Sequence, residues 1–100
     1  MSSQQNTQTV VPGSTVLITG AARGMGELYA RRAAREGAAA IALWDVDQNR
    51  VEALAAELGR RPAPGRSSAP QVRAYVVDIS DRDAVADAAQ RTRAELGDPD

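Results

Sequence analysis

The stretch TGAARGMG, residues 19–26, places three glycines in eight positions directly after the apolar run STVLI. Glycine supplies backbone angles that side chains resist, and it lets one backbone pass close to another group. The segment before it, Ser14 to Thr19, is β-rich and ends at Gly20. Met25 to Glu36 after it has helical spacing, with Gly26, Tyr29, Ala30, Ala33 and Ala34 on one face and Glu27, Arg31 and Arg35 on the other. A strand, a glycine turn and a helix in that order have two readings: a plain βα turn, or a cradle for phosphate.

The rest of the chain repeats the alternation. Gly37 stands where a glycine closes a helix, and the run AAAIAL, Ala38 to Leu43, is extended by Trp44 and stopped by Asp45. So continuous an apolar run predicts a strand buried on both faces. Asp47 is placed to cap a second helix, whose Val51, Leu54, Ala55 and Leu58 fall at i, i+3, i+4 and i+7 before Gly59. The stretch RRPAPGRSSAP, residues 60–70, holds three prolines without periodicity and predicts a solvated surface loop, reaching to residue 71. A third strand is expected over Val72 to Val77, followed by Asp78. Ser80 with Asp83 then resembles a capping box for a third helix, whose buried stripe is Val85, Ala88, Ala89, Thr92 and Leu96. The pattern β-α-β-α-β-α predicts a parallel sheet with helices on its faces and right-handed crossovers.

Composition narrows the chemistry. One hundred residues are the size of one small domain. All twelve basic residues are Arg, and thirteen acids leave a net charge of -1 spread along the chain, which argues against a nucleic-acid footprint. The sequence holds no Cys, His or Lys, which excludes disulfides, zinc sites and His-based triads from these residues. Residues 1–13 are polar, lack the basic start and apolar core of a signal peptide, and are expected to form a disordered tail. No stretch is apolar enough for a membrane span, so a cytoplasmic protein is expected.

At the end of a first parallel strand, a glycine-rich turn has three jobs: a tight turn, close approach to a pyrophosphate, and close packing of helix on strand. Gly20, Gly24 and Gly26 are spaced for these in order. The helix offers its free N–H groups and the positive end of its dipole to phosphate oxygens. A P-loop would need Gly-Lys-Ser/Thr, and residues 24–26 are Gly-Met-Gly. Asp45 follows Gly26 by nineteen residues at the end of the second strand, where an acid accepts hydrogen bonds from an adenosine ribose; a turn-forming Asp before the Asp47 cap is the other reading. A carboxylate there repels a ribose 2′-phosphate: unit charges about 4 Å apart interact by about 4 kcal/mol at an effective dielectric of 20. That favours NAD over NADP. Arg23 pulls the other way, since its guanidinium is suited to the same phosphate, although a solvated loop charge is the alternative.

These residues resemble the short-chain dehydrogenases/reductases. TGAARGMG matches that family's TGxxxGxG motif, and ALWD and VVDIS match the ends of its second and third strands, over residues 14 to about 98. LWD, residues 43–45, is most similar to the hydroxysteroid and retinol dehydrogenase branch. The resemblance implies a Rossmann-type doubly wound α/β fold, here its first β-α-β-α-β-α half with strand order 3-2-1, spanning residues 14–100. It implies cofactor contacts at Gly20, Arg23, Gly24, Met25 and Gly26, ribose contacts at Asp45, and an adenine flanked by Asp78 and Ile79. A turn residue ahead of Ser80 is the other reading of Asp78.

The same resemblance implies hydride transfer between NAD (or NADP) and a small-molecule alcohol or carbonyl, in a homo-oligomer. In the family an NNAG-like segment, a Ser and a Tyr-x-x-x-Lys carry out the proton transfer, and none of these is among the 100 residues. Tyr29 and Tyr75 have Ala33 and Ile79 four residues on. The expectation is therefore the N-terminal cofactor-binding part of a longer enzyme, with no catalytic residue and no metal ligand. A noncatalytic module that binds a nucleotide or a partner is the second reading, and an adenosyl-binding methyltransferase the third. In strand order 3-2-1-4-5-6 the first strand is central; with three strands it becomes an edge, which predicts association or partial unfolding.

Overall fold

A computed structural model of the chain describes residues 11–99. Six elements alternate as expected: β1 (Thr15–Thr19), α1 (Gly24–Arg35), β2 (Ala40–Asp45), α2 (Gln48–Leu58), β3 (Gln71–Val76) and α3 (Arg82–Leu96). The strands form one parallel sheet in the order β1-β2-β3, with Thr15 beside Ala40 and Ala40 beside Gln71 at the start of each ladder. This is the three-strand half of a doubly wound α/β sheet. Of the tail expected over residues 1–13, residues 1–10 lie outside the described residues. The remainder makes a turn in which Gly13 N–H donates to the Gly37 carbonyl (2.8 Å).

β2 is buried along its whole length, as its unbroken apolar run predicts. Alternation along the strand divides the core. Ile41 and Leu43 pack with Ile18, Ala30, Ala33, Val51, Leu54 and Leu58 beneath α1 and α2. Ala42 and Trp44 face the other way, with Tyr75, Val77 and Ala88 beneath α3. With so few aromatics, small side chains bring helices close to the sheet. Two polar bonds fasten α3: Trp44 Nε1–H donates to Thr92 Oγ1 (3.2 Å), and Tyr75 O–H to Glu95 (2.6 Å). Burial, with the Glu95 carboxylate next, pushes the Tyr75 hydroxyl up to about 12.

Three local expectations are corrected. Tyr29 is 42% exposed rather than buried. Only Ala30 and Ala33 of α1 are buried, and Tyr29 lies beside the β1 edge with Met25 and Ala33. Ser80 is not the cap of α3. Asp81 is, accepting from the Asp83 and Ala84 amides, while Ser80 donates both its amide and its hydroxyl to Asp78 Oδ1. The proline-rich loop is solvated along most of its length, but it is anchored by buried Ala63 and Pro70.

Candidate cofactor site

The glycine turn sits at the carboxyl end of β1, where the sheet presents the open ends of its parallel strands. Gly20 and Gly24 have positive φ, +62° and +59°, so the chain reverses into α1 through angles that favour glycine. Gly26 has an ordinary φ and a different constraint. A Cβ there would overlap the Gly20 carbonyl oxygen, with the Gly20 carbonyl carbon at 2.7 Å and Ala21 Cα at 3.1 Å. The two alanines of the turn are buried under it. Small residues at 20, 21, 22 and 26 thus let the first turn of α1 ride directly on the strand end.

The three helix N-termini are not alike. Asp47 caps α2 by accepting from Arg50 N–H (3.1 Å), and Asp81 caps α3. Arg23 occupies the N-cap of α1 and makes no side-chain cap bond. The first amides of α1 are therefore served by no capping side chain. Free amides at the positive end of a helix dipole suit an anion.

Asp45 is only 8% exposed. Its Oδ2 accepts from Ala22 N–H (2.9 Å) and its Oδ1 from Asp47 N–H (2.9 Å). Burial is the largest influence and would raise its pKa, but the amides of Ala22, Asp47 and Val46, with the Arg23 charge, together outweigh it. The carboxyl is held below its usual range and is ionised at neutral pH. Asp45 thus ties the glycine turn to the end of β2, a role its sequence position does not announce. A carboxylate oxygen accepts more than one bond, so both oxygens keep acceptor capacity.

An open hollow of about 170 Å³ joins Gly20, Asp45, Asp78 and Ile79 with Trp44, Val46 and Val77. Four of the eight residues singled out in the sequence meet there. Ile79 is 64% exposed at its rim. Asp78 is held below the usual carboxylate range by hydrogen bonds from the Ser80 hydroxyl and amide. Met25 and Gly26 instead line a separate groove along β1, with Val16, Ile18 and Tyr29. Arg23 is in neither; its guanidinium reaches Asp47 Oδ2 at 3.3 Å. Trp44, Val46 and Val77 complete the lining, and their sequence signal is positional alone, since each borders Asp45 or Asp78.

Comparison with known proteins agrees with this architecture. The family model for short chain dehydrogenase matches residues 14–100. Estradiol 17-beta-dehydrogenase 11 of Rattus norvegicus is 36% identical over 88 residues, covering 88% of this chain and 27% of the relative. Epidermal retinol dehydrogenase 2 of Mus musculus is 40% identical over 91 residues, covering 88% and 26%. L-sorbose reductase from Gluconobacter frateurii, solved with NADPH and L-sorbose, superposes with a TM-score of 0.78 at 25% identity, covering 93% of this chain and 33% of that one. The chain spans about a quarter of the length of the curated relatives it matches. With its strand order, its glycine turn and a family match over nearly all its length, the chain belongs to the short chain dehydrogenase family.

Proposed function

We propose that these residues are the N-terminal, cofactor-holding part of an NAD-dependent oxidoreductase that interconverts an alcohol and a carbonyl compound. The observation that carries the reading is the start of α1: an uncapped helix N-terminus, a turn that excludes a Cβ at Gly26, and an ionised Asp45 tied to that turn. These features fit a dinucleotide. The amides at the start of α1 would hold its pyrophosphate, Asp45 would accept from the ribose hydroxyls, and Asp78 and Ile79 would border the adenine over the hollow. When bound, the nicotinamide supplies the hydride acceptor or donor. The present residues bind and orient; none of them is assigned the proton transfer, which falls to residues outside the 100. The reading includes a homo-oligomer, by analogy with the family, and a cytoplasmic location, which is the expectation from the sequence. No helix among the described residues is long and apolar enough to cross a membrane.

NAD is preferred because Asp45 is ionised where a 2′-phosphate would lie. L-sorbose reductase holds NADPH, so the family fold alone does not set the choice. Calorimetric titration of the full-length protein tests it. Asp45→Ala is expected to weaken NADH binding by about 1–3 kcal/mol, the cost of losing bonds to a charged acceptor, and to improve NADPH relative to NADH. Unchanged affinity for both would remove Asp45 from the ribose site.

A further inference from the structure

We infer that Asp47 is a specificity-determining residue, which excludes NADPH by engaging Arg23, the guanidinium that would otherwise grip a ribose 2′-phosphate. The inference rests on the proposed ribose site at Asp45 and deepens it. Arg23 is the one cation of the glycine turn, and a planar guanidinium is suited to grip a phosphate. In the structure that capacity is already engaged: Arg23 Nη2 meets Asp47 Oδ2 at 3.3 Å. Asp47 is well placed to hold it. Its backbone amide donates to Asp45 Oδ1 and its Oδ1 caps α2, so the remaining oxygen, Oδ2, is fixed toward the turn. A 2′-phosphate would therefore meet the Asp45 carboxylate with the nearest guanidinium already paired to another acid. Asp45 alone does not account for the arrangement, because Arg23 stands within reach to offset it.

The two oxygens of Asp47 have separate duties, which makes the device testable. Asp47→Asn keeps an acceptor for the Arg50 amide, since Asn caps as well as Asp, and presents an amide donor to Arg23 in place of an acceptor. Arg23 is then released with the fold intact; Asp47→Ser, another good cap, serves as the second variant. Titrating the full-length protein with NADH and NADPH separately, the NADPH-to-NADH affinity ratio should rise about tenfold in either variant, the scale of one bond from a charged group. The gain should vanish when Arg23→Ala is added. An unchanged ratio with NADH binding retained, an equal loss for both dinucleotides, or a gain that survives Arg23→Ala would each overturn the inference while leaving the ribose site standing. Wild-type protein that binds neither dinucleotide would overturn both.

Discussion

Gly26 is the residue on which the geometry of the turn depends most directly. An added methyl group would meet the Gly20 backbone carbonyl, which cannot step aside as a flexible side chain would. Gly26→Ala should therefore shift α1 off the strand end and destabilise the protein by about 1–3 kcal/mol, the usual cost of overpacking. A denaturant midpoint equal to that of the wild type would show that the helix yields freely. The sequence made the spacing of Gly20, Gly24 and Gly26 legible, along with the acid nineteen residues on, because both follow from what a βα phosphate turn requires. It did not make legible that Asp45 also spends a bond on Ala22, a partner that the crossover from β1 to β2 brings beside it; the bond from the Asp47 amide is a local turn of the kind an Asp two residues ahead forms.

At the scale of elements, the burial of β2 and the N-cap of α2 were readable from sequence because each rests on local chemistry: an unbroken apolar run, and an Asp ahead of periodic Val51, Leu54 and Leu58. The start of α3 was less so. Ser80 and Asp81 are adjacent and both are good caps, so spacing alone does not choose between them. In the structure Asp78 decides the matter by accepting from the Ser80 amide and hydroxyl, which leaves Asp81 to take the helix. Asp81→Ala is expected to cost about 1 kcal/mol and Ser80→Ala clearly less. Equal losses in urea unfolding would return the cap to Ser80. Tyr29 marks a second limit of periodicity. It identified the apolar face of α1, but not how far that face overhangs an edge strand.

At the scale of the molecule, and among the described residues, β2 touches both other strands and all three helices, whereas β1 and β3 each have one strand neighbour. Hydrogen exchange should grade accordingly. In a polypeptide of these 100 residues, the amides of Ile41, Ala42 and Leu43 should exchange slowest, and those of Val16, Leu17 and Ile18 markedly faster, because local opening frees an edge before a centre. Uniform protection across both strands would mean that something covers the β1 edge. The central position of β2 also matters during synthesis. No pair of strands here is joined by a hairpin, so β2 gains its second neighbour only after α2 and the proline-rich loop have been made. At roughly 5–20 residues per second, the roughly thirty residues between the ends of β2 and β3 take about 2–6 s to appear. For that interval AIALWD is a nascent apolar strand with one edge and one face bare, the kind of segment that needs shielding while the chain is still being made.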